Sequence, residues 1–64
     1  MDNNWKQRVI QEKEDLYKRR DKLNDFILTQ TYMDLDPRNQ SLLNKQLLTM
    51  NSYIHILTER IMLF

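Results

Sequence analysis

Seven apolar side chains recur through the second half of this 64-residue chain, at Leu43, Leu47, Met50, Ile54, Leu57, Ile61 and Phe64. The steps alternate four and three, a heptad stripe kept over three repeats. At 3.6 residues per turn, this spacing places all seven on one seam of an α-helix. A strand would show alternation, and the segment shows none. A second set, Leu42, Tyr53, Ile56 and Leu63, widens the apolar face beyond what one helix partner covers.

A chain this short buries little surface, and small scaffolds usually need a disulfide, a metal or a second copy. The sequence has no cysteine and one histidine, which excludes disulfides and a Cys/His zinc site. Oligomerisation remains, and the double apolar face supplies a surface for it. Glycine is absent and proline occurs once. Glycine-rich phosphate loops are therefore excluded, and β-hairpin turns are disfavoured. The expected fold class is all-α: one domain over residues 1–64, an antiparallel two-helix hairpin assembling into a homo-oligomeric helical bundle, dimer or tetramer.

The first helix is expected over about residues 4–28. Asp2, Asn3 and Asn4 are suitable N-caps, and Val9, Leu16 and Leu23 recur every seven residues, with Trp5, Phe26 and Ile27 at the ends of the stripe. Glu12 and Arg19, with Lys13 and Arg20 beside them, intrude on this seam. Glu14–Lys18 and Asp15–Arg19 are i, i+4 pairs with the acid first, each worth about 0.2–0.5 kcal/mol. Glu14, Asp15, Lys18, Asp21 and Lys22 read as a solvated face. The connection covers about 29–36. Tyr32, Met33 and Leu35 are too apolar for a free loop and are expected to cover the end of the hairpin as one short helical turn. Asp36-Pro37 then starts the second helix, about 37–63, with Asp as cap and Pro at a position whose N–H needs no partner. With the turn centred near Tyr32, residues whose numbers sum to about 65 lie level to within a turn either way, so Leu16 sits near Met50, Glu12 near Tyr53 and Trp5 near Arg60, which brings Trp5, Arg8, Glu12, Tyr53 and Arg60 together at the open end of the hairpin.

Ten basic and nine acidic residues give a net charge of +1, and acids interleave with bases along the first helix, which disfavours DNA binding. No apolar run approaches the roughly 20 residues of a membrane span, and no signal-peptide core is present. Catalytic residues are not expected. His55 has no carboxylate partner evident at helical spacing, Ser41 and Ser52 lack a nucleophile motif, and no cofactor or metal is implied.

One constellation suits ligand binding. Gln46, Tyr53 and Arg60 are seven apart and form a polar column beside the heptad stripe, while Trp5, Arg8 and Glu12 lie at steps of three and four on the first helix. Arg forks onto phosphate oxygens, Tyr or Trp stacks on a base, and Glu12 and Gln46 can meet base edges. The alternative is structural: Arg8–Glu12 an i, i+4 ion pair, Arg60 part of an interface network, Tyr53 and Trp5 in the core. Arg19 and Arg20 form a second basic pair, able to meet phosphate or to lie on a solvated face.

The pattern Trp5-x2-Arg8-Val9-x2-Glu12, followed by Leu16, Leu23, Phe26-Ile27, Leu42-Leu43-x2-Gln46-Leu47, Met50, Tyr53, Leu57 and Arg60-Ile61, resembles a group of very short phage proteins, among them proteins related to those of crAss-like phages. Small helical phage proteins of this kind are similar to anti-CBASS sponges, homo-oligomers that bind cyclic oligonucleotide alarm signals and keep them from host effectors. The resemblance implies immune evasion by sequestration without turnover, in the cytoplasm of the infected bacterial host. A cyclic dinucleotide would sit between helices of neighbouring subunits, its phosphates on Arg and its bases on Tyr or Trp. The other function the sequence allows is a small helical inhibitor or adaptor that docks an apolar face on a host protein.

Overall fold

The computed structural model describes residues 4–64, so the capping role expected of Asp2 and Asn3 lies outside the described residues. Three helices follow in order: α1 (Asn4–Ile27), α2 (Gln30–Met33) and α3 (Pro37–Met62). The fold is all-α, and no strand occurs among the described residues. No described residue has a positive φ, so the chain turns without the conformation that glycine would supply.

Helix ends are closed by side chains and tightened turns instead. At the end of α1, the Leu28 and Thr29 amides donate to the Asp25 and Phe26 carbonyls at 3.1 and 3.0 Å, and the Thr29 hydroxyl donates to Phe26 O at 2.6 Å. These i to i−3 bonds satisfy carbonyls that the helix leaves orphaned. Thr29 then caps α2, its Oγ1 accepting from the Tyr32 amide at 3.3 Å. Asp36 caps α3 with extended backbone, its Oδ1 accepting from the Asn39 amide at 2.9 Å, and Pro37 occupies the first helical position.

α1 and α3 pack side by side. They run in opposite directions, because Trp5 near the start of α1 stacks edge-on against Phe64 and the Arg20 guanidinium donates to Asn51 Oδ1 at 2.9 Å. The heptad stripe is the face that α3 turns inward. Ile54 and Leu57 are buried, Leu43, Leu47, Met50 and Ile61 half-buried, and Phe64 is 40 % exposed. Val9 and Leu16 meet them from α1, and these four buried residues form the core.

The α1 seam differs from the expected one. Lys13 and Arg20 are the half-buried charged positions, while Glu12 and Arg19 are exposed. Arg20 and Lys13 both lie against the Tyr17 ring, at 4.9 and 5.7 Å from its centroid. Their long stems cover apolar surface while the charged heads reach the ring and solvent. The expected Glu14–Lys18 and Asp15–Arg19 pairs do not close to ion-pair distance among the described residues. Exposed pairs gain too little to hold two long side chains in place.

The helical register also differs. Trp5 meets Phe64 rather than Arg60, and Arg20 meets Asn51, a slide of about one to one and two-thirds turns from the sum of 65. The cause is α2. Tyr32 packs edge-on against Phe26 at 6.3 Å, and Gln40 Nε2 donates to the Tyr32 and Met33 carbonyls at 3.0 and 3.2 Å. Asn44 Nδ2 donates to the Tyr32 hydroxyl oxygen at 2.7 Å. The first turns of α3 therefore overhang the end of α1 and rest on α2. Tyr32 and Leu35 are half-buried in this cap, but Met33 is 62 % exposed. The slide lengthens the molecule to 51 Å, against the roughly 38 Å of a 25-residue helix.

A rod of 51 × 15 × 15 Å is not a compact shape for this length. Its radius of gyration is 15.0 Å, where a compact domain of 64 residues has about 10.7 Å. Its accessible surface is 5222 Å², where a compact monomer of its mass exposes about 4,400 Å². Among the exposed apolar side chains, Leu42, Leu48, Ile56 and Met62 of α3 and Leu63 just after it are each more than half exposed.

Candidate functional site

A shallow groove of about 290 Å³ runs along one side of the seam between α1 and α3, lined by Arg8, Gln11, Glu12, Asp15, Leu16, Arg19 and Tyr53. Arg8, Glu12, Asp15 and Arg19 stand at steps of four, three and four, so one edge of α1 supplies all four charges. The two arginines are at the ends of this row and the two carboxylates between them. Arg8 and Arg19 are eleven residues apart, about 16 Å along the helix axis. Opposite them α3 contributes Tyr53, which is 41 % exposed and lines the groove, as does the buried, apolar Leu16.

Of the six residues singled out in the sequence, the groove brings three together: Arg8, Glu12 and Tyr53. Trp5 lies elsewhere, its ring 5.1 Å from that of Phe64. The Lys6 ammonium stands 5.8 Å from both ring centroids. Gln46 and Arg60 are exposed on α3, one heptad before and after Tyr53, and do not line the groove. Each is about 10 Å from Tyr53 along the axis.

Four lining residues were outside that set: Gln11, Asp15, Leu16 and Arg19. Arg19 had a visible signal, because continuing the Arg8–Glu12 row by three and four residues reaches Asp15 and Arg19. Its neighbour Arg20 turns the other way, held by Asp21 Oδ1 at 2.9 Å, Asn51 and the Tyr17 face. Arg19 and Arg20 are therefore not a pair acting on one ligand. Asp15 accepts from Gln11 Nε2 at 3.0 Å, which fixes the middle of the α1 edge and leaves Arg19 outside that bond.

Chemically, the groove offers guanidinium donors for anionic oxygens, an aromatic face for a planar ring, and carboxylate and amide acceptors for ring N–H groups. Among the described residues there is no cluster of three or more His, Cys, Asp or Glu side chains that would hold a metal ion. His55 lies away from the groove, and contrary to expectation it has a carboxylate at helical spacing: its Nε2 is 3.4 Å from Glu59, one turn on, with both side chains well exposed. The described helices include none long and apolar enough to cross a membrane.

The family model named Sequestin matches residues 3–63. The chain belongs to the Sequestin family. Its name denotes sequestration, which is binding rather than catalysis. The match spans both long helices, so the Sequestin model takes in all seven lining residues of the groove. No curated protein and no solved structure matches the chain.

Proposed function

We propose that this protein is a sponge for cyclic oligonucleotide immune signals, a cyclic dinucleotide first among them. It holds the signal without turnover and thereby silences the host effectors that need it. Phage origin, an anti-CBASS role in the cytoplasm of the infected host, and a relation to crAss-like phages belong to the same proposal. The observation that supports it best is the groove in which Tyr53 faces an α1 edge bearing Arg8 and Arg19 at its two ends. Phosphates would take the guanidinium groups bidentately, a base would stack on Tyr53, and Glu12 and Gln11 would meet base-edge donors and acceptors. Two separated cations favour a ligand with two anionic groups over a mononucleotide. A neutral groove is compatible with this, since the carboxylates stand where base N–H groups rather than phosphates would lie.

The test is a thermal-shift panel of cyclic mono-, di- and trinucleotides and a pyrophosphate-linked cyclic nucleotide. A ligand at a hundred times its Kd stabilises the folded state by about 2.7 kcal/mol, which raises Tm by roughly 20 °C in a domain of this size. Arg19→Ala and Tyr53→Ala should each remove the shift while leaving the scattering mass unchanged. A Tm unmoved by the whole panel would sink the reading. The alternative, a helical inhibitor or adaptor, draws on the exposed Leu42, Ile56 and Leu63. It would be favoured if nothing in the panel binds and one host protein is captured in stoichiometric amount.

A further inference from the structure

We infer that Arg20 and Asn51 are positioning residues for the groove: they tie α1 to α3 along the far side of the seam and so hold Arg19 and Tyr53 at the separation a ligand needs. For its ligand this role rests on the sponge reading proposed above, and for its geometry on the fold alone.

Two pairs of near neighbours divide between the two sides of the seam. On α1, Arg19 lines the groove. Arg20, about 100° further round the helix, turns the other way, its Nη1 donating to Asn51 Oδ1 at 2.9 Å. On α3, Tyr53 lines the groove and Asn51, two residues before it, does not. At 3.6 residues per turn, Tyr53 and Asn51 stand roughly 80° to either side of the buried stripe. Each helix therefore gives one residue to the groove and a near neighbour to the bond behind it. A shift of α1 against α3 at the bond is felt at Arg19 and Tyr53, one and two residues of helix away.

The seam between them is apolar. Val9, Leu16, Ile54 and Leu57 hold the helices together, but apolar burial is non-directional and resists small slides and rotations weakly. A hydrogen bond is directional and weakens steeply as it bends. Arg20 is also held before it reaches across. Its Nε donates to Asp21 Oδ1 at 2.9 Å, and its guanidinium lies 4.9 Å from the centre of the Tyr17 ring. The side chain is 28 % exposed, against 66 % for Asp21. A planar fork with two donors engaged and one face on an aromatic ring is an arrangement that lysine cannot copy. A polar contact at the surface adds little to stability, so this one supplies alignment rather than strength. Binding groups need to be held within about 0.5 Å of their productive geometry, which is the scale such a bond controls.

The test separates alignment from stability. Asn51→Leu removes the acceptor and leaves a good helix former, while Asn51→Asp keeps the acceptor and adds charge to it. The probes are cyclic di-AMP, cyclic di-GMP and cyclic GMP-AMP, read by calorimetry. Asn51→Leu should weaken binding by about tenfold or more while melting close to the unmodified protein, and Asn51→Asp should restore the affinity. Arg20→Lys should weaken binding by a similar factor, and the two substitutions together by no more than either alone, since the pair acts as a unit. Without ligand, the amide resonances of Gln11, Glu12 and Asp15, across the seam from Asn51, should move in Asn51→Leu and return in Asn51→Asp. Unchanged affinity in Asn51→Leu, additive losses, or affinity lost only in step with Tm and not restored by Asn51→Asp would overturn the inference and leave the sponge reading intact. If the unmodified protein binds none of the three probes, that counts against the sponge reading and the amides decide: their movement retains the positioning of the groove, and fixed resonances overturn it.

Discussion

Among the described residues, Leu57 is the one side chain removed fully from water, at 0 % exposure. With only Val9, Leu16 and Ile54 buried beside it, the core cannot redistribute the loss of a large residue. Leu57→Ala should destabilise by about 3 kcal/mol, within the usual range for a buried leucine. Leu48→Ala, at a site 66 % exposed, should cost no more than about 0.5 kcal/mol. Urea denaturation followed by circular dichroism separates the two, and equal midpoints would mean that the buried stripe is not the core. The stripe was legible in the sequence because burial on one helix face writes itself as a heptad. The groove was legible only in part. Arg8, Glu12 and Tyr53 stood out as chemistry-bearing types at regular spacing. Arg19 was legible only as half of a basic pair with Arg20, and packing of Arg20 against Tyr17 and Asn51 shows which of the two turns away.

At the scale of the elements, the helix starts are written in local chemistry and the helix register is not. Asp36-Pro37 announces α3, and the bond from the Asn39 amide to Asp36 Oδ1 at 2.9 Å carries it out. Asp36→Ala should therefore cost about 1 kcal/mol, the usual worth of an N-cap carboxylate. Asp34→Ala removes only an exposed contact from Gln30 and should leave the denaturation midpoint nearly unchanged. Comparable losses from the two substitutions would assign the effect to charge rather than to capping. Register is set at longer range. The spacing of apolar residues fixes which face each helix turns inward but not how far one helix slides along the other. Here the slide depends on Tyr32, whose ring meets Phe26 while its hydroxyl oxygen accepts from Asn44. With this four-residue helix wedged beside α3, Trp5 meets Phe64 and Arg20 meets Asn51, a slide of a turn or more, while Glu12 and Tyr53 still share the groove.

For the whole molecule, the governing fact is a rod 51 Å long and 15 Å across with four buried residues among those described. Two helices share one seam, so the opposite face of each has nothing from its own chain to cover it. The homo-oligomer expected from the sequence would couple folding to association, and an equilibrium of two chains has a concentration term that a monomer lacks. A tenfold rise in concentration changes the association free energy by about 1.4 kcal/mol, shared between two chains. For a domain of this size that corresponds to a Tm higher by roughly 3–6 °C per tenfold. Melting followed by circular dichroism over three decades of concentration should show this slope for the unmodified protein. Ile56→Asp should melt lower and without slope, since it puts a charge among the exposed apolar residues of α3. The same slope in that variant would place the association elsewhere on the molecule, with the exposed Met62 and Leu63 end as the next surface to alter. A flat Tm in the unmodified protein would mean that the two-helix rod holds itself together on Val9, Leu16, Ile54 and Leu57 alone.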